Sequence, residues 1–222
     1  MKMPLTQFES NVESQTGEDG VIAYILSLVG DGAKVAVEFG SGGGVHMSNT
    51  WRLEHECGWR RFLFDGDAQG NPQVHEVYLT AENINETFDK AGVPQLIDVM
   101  SIDTDGNDYW LWKALRRRTR IVVAEYNTVI RPPLAMTIQY NPEHRWDGTN
   151  YFGATLTALA SLAKSRGLRL VHRTYLNGIF LDEHEAEEAG LAEVSALWEQ
   201  RFEFNRFDPK NRHWINLDDY AE

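Results

Sequence analysis

Four carboxylates stand where an α/β chain does chemistry: Glu38, Asp65, Asp103 and Glu125. Each closes a short run with the apolar character of a buried strand: Val35-Ala36-Val37, Arg61-Phe62-Leu63-Phe64, the stretch from Leu96 to Ile102, and Ile121-Val122-Val123-Ala124. Carboxylates at such places can hold a cation, accept hydrogen bonds from sugar hydroxyls, or take up a proton. An acid at one strand end is ordinary. At four it is costly, because clustered like charges raise one another's pKa, and cations or sugar hydroxyls would relieve that cost. Gly40, Gly42 and Gly44 follow Glu38 and let the backbone turn tightly and approach a ligand that a Cβ would keep away. Glu38 itself is placed to hold a cationic group. Asp65 lies about twenty residues beyond Gly44, in the position of a carboxylate that accepts the two ribose hydroxyls of a nucleoside. Its plain alternative is a turn acid in Asp65-Gly66-Asp67.

A second cluster is Asp103-Thr104-Asp105-Gly106-Asn107-Asp108. It has the acids of a calcium loop but not its spacing. The glycine comes too early, the final Glu is missing, and a strand precedes it. The glycine turn likewise fails the dinucleotide pattern G-x-G-x-x-G, because the third position is Val45.

The elements that must position these groups alternate. Residues 17–30 have apolar residues at helical spacing, ended by Gly30. Val35 to Phe39 is the first strand. A helix capped by Ser48 runs to Gly58. Arg61 to Asp65 is the second strand and His75 to Leu79 a weak third, with too little chain between them for a helix. A helix from Glu82 to Ala91, a strand from Leu96 to Asp103, and a helix from Asn107 to Leu115 with Trp110 and Leu111 inward come next. A fifth strand spans Arg120 to Tyr126. After a long loop, a helix from Gly153 to Arg166 leads to the strands Leu168–Arg173 and Gly178–Leu181, joined through Asn177-Gly178. This order predicts a Rossmann-like α/β fold: a mostly parallel sheet with helices on both faces and a C-terminal antiparallel strand. Residues 1–182 make the main domain. Residues 183–222 make a tail packed on it, with a charged helix around Ala189 to Arg201 and then Phe202-Glu203-Phe204.

Acid-x-Gly-x-Gly-x-Gly after the first strand resembles motif I of class I S-adenosylmethionine (SAM) methyltransferases. The strand ending Ile102-Asp103-Thr104-Asp105-Gly106, with Asp108-Tyr109-Trp110 after it, resembles the fourth-strand motif of the FkbM-like members. Ser14-Gln15 and Gly17-Glu18-Asp19-Gly20 extend the likeness N-terminally, so that it spans residues 15–130. The chain departs from the pattern at Asp105, where Glu is usual. The resemblance implies SAM as cofactor. It implies Glu38, Gly40, Ser41, Gly42, Asp65, Gly66, Asn83 and Asp103 as the cofactor contacts, with Glu38 toward the ammonium group of SAM. Glu82 and Asn83 would border the adenine. Asp103, Asp105 and Glu125 are the catalytic candidates. Asp103 and Glu125 with Asn127 also resemble the metal set of catechol-type O-methyltransferases, and all-oxygen ligands would favour Mg2+. The expected reaction is methyl transfer to a small polar acceptor, at oxygen. A non-catalytic module of the same fold and a Rossmann-type oxidoreductase are the alternatives.

The loop 127–150, rich in Tyr140, His144, Arg145 and Trp146, is expected to cover the acceptor. His144 and His172 are weak candidates for a base, since a lone histidine is more often structural. The net charge of −12 disfavours nucleic acid as partner. Cys57 is the only cysteine, so neither an intrachain disulfide nor a thiolate metal site is expected. No apolar run approaches the ~20 residues that span a bilayer. A soluble cytoplasmic protein is expected, with the tail a candidate for pairing subunits.

Overall fold

Val35–Phe39 is buried at every residue, as a strand covered on both faces must be. The computed structural model describes residues 4–130, 132–196 and 208–220, except for the side chains of 219 and 220. In chain order the elements are α1 (Glu18–Val29), β1 (Val35–Phe39), α2 (Trp51–His55), β2 (Arg60–Asp65), β3 (Val74–Glu76), α3 (Ile84–Ala91), β4 (Leu96–Ile102), α4 (Asp108–Ala114), β5 (Arg118–Glu125), β6 (Met136–Ile138), α5 (Leu156–Ser165), β7 (Leu168–Arg173), β8 (Asn177–Asp182), α6 (Glu183–Ala189) and β9 (Trp214–Asn216).

Seven strands form one sheet in the order β3-β2-β1-β4-β5-β8-β7. The first five run parallel, and β8 is antiparallel to both β5 and β7. This is the Rossmann-like α/β fold expected. Alternate residues of each strand enter different cores, because successive side chains point to opposite faces. Val37, Phe39, Met100, Ile102, Val122 and Ala124 pack with α3, α4 and α5. Ala36, Val99, Ile121 and Val123 pack with α1, α2 and α6. The chain leaves β1 toward β2 on one side and returns to β4 on the other. A crevice opens at such a switch point, at the carboxyl ends of the strands.

Several boundaries differ from the sequence reading. The helix expected from Ser48 starts at Trp51, because Ser48 is held by Glu38 and takes the Trp51 N–H from outside the helix. Trp112, not Trp110, is the fully buried tryptophan of α4. Trp110 instead donates its indole N–H to the Ile138 carbonyl. The charged helix that the structure describes, α6, lies before the one placed around Ala189 to Arg201 and ends at Ala189, ahead of the left-handed Gly190. Residues 190–196 are irregular, and the rest of that expected helix, with the aromatic segment 202–207, lies outside the described residues. A second small sheet, β6 with β9, ties the long loop to the tail. Among the described residues no helix is long and apolar enough to cross a membrane.

At the end of the sheet away from the crevice, buried Asp98 accepts from the Val35 N–H and from Arg120. Arg120 also binds Glu185 and the carbonyls of Val29 and Gly30, closing the C-terminus of α1. Arg120→Met removes one partner of a buried pair and leaves Asp98 uncompensated. It is expected to cost about 3–5 kcal/mol, read as a lower urea midpoint, with the loss reduced in Arg120→Met/Asp98→Asn.

Candidate functional site

The crevice holds two cavities. One, of about 340 Å³, is floored by Gly40, Phe64, Asp65 and Gly66, walled by Val77, Tyr78 and Leu79, and roofed by Pro142, His144, Arg145 and Trp146. The other, of about 480 Å³, is lined by Gln15, Glu38, Ser41, Gly42, Asn49, Gln69, Asp103 and Glu125 among others. Gly40 and Asp105 border both.

Gly40 lets the two strand ends meet. It has φ 74°, and a Cβ there would stand 1.3 Å from the Asp103 carbonyl oxygen. Its N–H donates to Phe64, and the Asp103 N–H donates to Phe39, so β1 stays paired on both sides to its last residue. The glycine turn is then fastened to β2 by Asp65, one oxygen of which accepts from the Gly42 N–H at 2.7 Å. The other oxygen accepts from the Asp67 N–H at 2.8 Å. Each oxygen keeps a second acceptor site toward the cavity.

Glu38 is buried and well supplied with donors, with one acceptor site left on Oε1. Its oxygens accept from the Ser48 hydroxyl at 2.5 Å, the Asn49 N–H at 2.9 Å and the Thr50 hydroxyl at 2.6 Å. Arg61 lies 4.0 Å away. Burial raises its pKa, against the pull of these donors and of Arg61. The carboxylate shapes the 44–50 loop that closes one side of the second cavity, a role that its position before the glycines does not reveal.

Asp103, Asp105 and Glu125 converge, each offering an oxygen within 4.8 Å of the others. Asp108 faces away from them: buried, it accepts from the Thr104 N–H, the Thr104 hydroxyl and the Gly106 N–H. These bonds draw the turn tight and hold Asp105 at φ 52°, a left-handed conformation that Asp tolerates better than most residues. The pKa of Asp103 is pushed up by burial and by the charges of Asp108 and Asp105, and that of Glu125 by burial and by Asp103. Two carboxyls this close titrate as a pair and share a proton. Asp105 is raised by burial, Asp108 and Asp65. Asp103, Asp105 and Glu125 thus form an oxygen donor set that suits a divalent cation or a proton relay.

Two expected site residues fall outside both cavities. Asn127 is buried, with its NH2 donated to the carbonyls of Asn150 and Phe152 and its oxygen taken by the Val129 N–H. It braces the long loop and lines neither cavity; the carboxylate that converges with Asp103 and Glu125 is Asp105. Asn83 accepts from the Thr80 N–H and donates to the Tyr78 carbonyl, supporting Tyr78 from behind. Glu82 binds the Tyr140 hydroxyl. The long loop roofs the cavity beside Asp65, not the one beside Glu125. His172 binds Glu9 near a separate cavity formed with residues 190–194. His144 contacts Gly106 in the roof.

Tyr78, Gln15 and Gln69 are lining residues that the sequence reading missed as site groups. A sequence signal existed for Gln15. Asp19, in Gly17-Glu18-Asp19-Gly20, accepts from the N–H groups of Val12, Glu13 and Ser14 and so fixes the turn that presents Gln15. Buried Glu18 binds Thr16, Thr174 and Asn177, whose hydrogen bonds overcome the effect of burial and hold its pKa down.

No family model and no curated protein matches this sequence. Among solved structures, it resembles the N-terminal domain of EvdMO1 in the presence of SAH and D-fucose. The TM-score is 0.42 and the identity 14%, over 78% of this chain and 84% of that one. The same domain with SAH bound gives a TM-score of 0.42 and 15% identity, over 77% and 82%. Likeness at this level does not establish a shared activity.

The crowded acids make a stability prediction. Folded pKa values above the unfolded value of about 4 mean that the native state binds more protons through neutral pH, so stability falls as pH rises. Glu125→Gln removes the repulsion. In the absence of ligand it should raise the melting temperature at pH 8 and gain little at pH 5. A variant less stable than wild type at pH 8 would refute the shared proton.

Proposed function

We propose that the protein is a SAM-dependent methyltransferase of FkbM-like type that methylates a small polar acceptor at oxygen. The observation that carries this reading is the pair of neighbouring cavities at the strand switch point, which share Gly40 and Asp105, one with Asp65 on its floor and the other with unsaturated carboxylates along its wall. A nucleoside fits the first, with its ribose hydroxyls donating to Asp65 and its base beside Tyr78 and Leu79. The chain would pass Gly40 and Asp105 into the second cavity. There the backbone of Gly40, Ser41 and Gly42 meets the methionine part, and Asp103 faces its ammonium group. Glu38 serves indirectly, by holding the 44–50 loop.

Methyl transfer turns the sulfonium into a neutral thioether as a bond forms between the methyl carbon and the acceptor oxygen. The hydroxyl proton must leave, and Asp105, whose raised pKa suits a general base, is the group assigned to take it. The acidic lining also matches the positive charge of SAM. Alternatively, Asp103, Asp105 and Glu125 would hold Mg2+, as hard oxygen donors do, and Asp105 would then be a ligand and not the base. When bound, the ion would lower the pKa of the acceptor hydroxyl.

Isothermal titration should detect SAM and S-adenosylhomocysteine but not NADH. Asp65→Ala should weaken SAM by about 1–3 kcal/mol through lost hydrogen bonds to a charged acceptor. Equal affinity in folded Asp65→Ala would remove the ribose assignment. In a metabolite screen for methyl transfer, Asp105→Asn should lower turnover by about 10²-fold or more with SAM affinity kept. EDTA should abolish transfer and added Mg2+ restore it; turnover indifferent to EDTA would discard the metal.

A further inference from the structure

The roof of the cavity beside Asp65 is fastened from two directions. On the inside, Asn107 donates to the Asn141 carbonyl, and the Arg145 guanidinium lies 3.5 Å over the Tyr78 ring. On the outside, the partner is the C-terminal segment. Arg212 stands 3.0 Å from Asp147, donates to the Thr149 hydroxyl at 2.6 Å, and is itself gripped by Asp208. Its guanidinium also lies 4.3 Å over the Tyr151 ring. Lys210 makes a second pair with Asp147 at 2.7 Å, and the Tyr151 hydroxyl donates to the His213 carbonyl.

Arg212 lines neither cavity. We infer that it is a positioning residue of the cofactor site, holding the 141–150 loop over the nucleoside cavity through Asp147 and Thr149. A single exposed ion pair is worth little. Arg212 is not in that position: its planar fork engages two carboxylates and a hydroxyl at once, and a ring covers its face. Asp208 fixes the guanidinium before it meets the loop, which lowers the entropy lost on closure. Arg145 and Trp146, between Asp147 and the cavity, carry the constraint to the site. The inference rests on the nucleoside reading of that cavity.

The test uses the full-length chain, with S-adenosylhomocysteine as the probe. In Arg212→Ala, amide exchange should speed up in peptides covering 141–152 while peptides of β1, β4 and β5 keep their protection. The dissociation constant for S-adenosylhomocysteine should rise about tenfold, a coupling of ordinary size. Most of the change should lie in a faster off-rate. Arg212→Lys keeps one charge but not the fork, so partial rescue is expected. Salt near 1 M, where the Debye length is about 3 Å, should weaken binding more in wild type than in Arg212→Ala. Unchanged loop exchange and affinity in Arg212→Ala, with the wild type binding normally, would overturn the inference alone. A wild type that binds neither SAM nor S-adenosylhomocysteine would instead overturn the nucleoside reading, and this cofactor role with it.

Discussion

The carboxyl ends of β1 and β4 touch through backbone alone. No side chain fits between Gly40 and the Asp103 carbonyl, and this sets the geometry of everything above the sheet. Because the strands converge there, the acids at their ends converge too. The protein offsets the resulting repulsion in three ways. Glu38 takes three donors from its own loop, with Arg61 nearby. Asp108 is taken up by the N–H groups of Thr104 and Gly106. Asp103 and Glu125 hold a proton between them. What is not offset is concentrated on one wall of one cavity.

The carboxylates of this chain therefore fall into two kinds, separated by counting donors. Glu18, Asp19, Glu38 and Asp108 each take three or more of the protein's own N–H and O–H groups and act as staples for loops. Asp103, Asp105 and Glu125 are short of donors and remain available. Asp65 is intermediate, with one backbone N–H on each oxygen and room for more. Sequence position alone gives Glu38 and Asp103 the same standing. Only the partners distinguish a staple from a site.

That limit explains what the sequence made legible. The strands of the main sheet were readable because continuous apolar runs have few other uses, and the strand-end acids followed from the strand boundaries. Asn127 and Asn83 misled because an amide after a strand can point to a ligand or to its own backbone, and spacing does not choose between them. Trp112 was passed over, although it is fully buried where Trp110 is only partly so, because α4 is two turns long, too short for periodicity to fix its inward face. β6 and β9 were invisible, since a three-residue strand has almost no alternation to read. Tyr78 lay just beyond the edge strand, where its value comes from what stands opposite: Gly66 on one side and Arg145 on the other.

The pairing of Met136–Ile138 with Trp214–Asn216 joins segments that are far apart along the chain. Contacts of such separation carry a large loop-closure cost and, by that measure, come late in folding. The sheet, built from nearer neighbours, can assemble before them. A molecule arrested at that stage would have its floor of acids and its glycine turn but no cover over them. The pairing of β6 with β9 thus separates a chain whose sheet is merely formed from one whose crevice is covered.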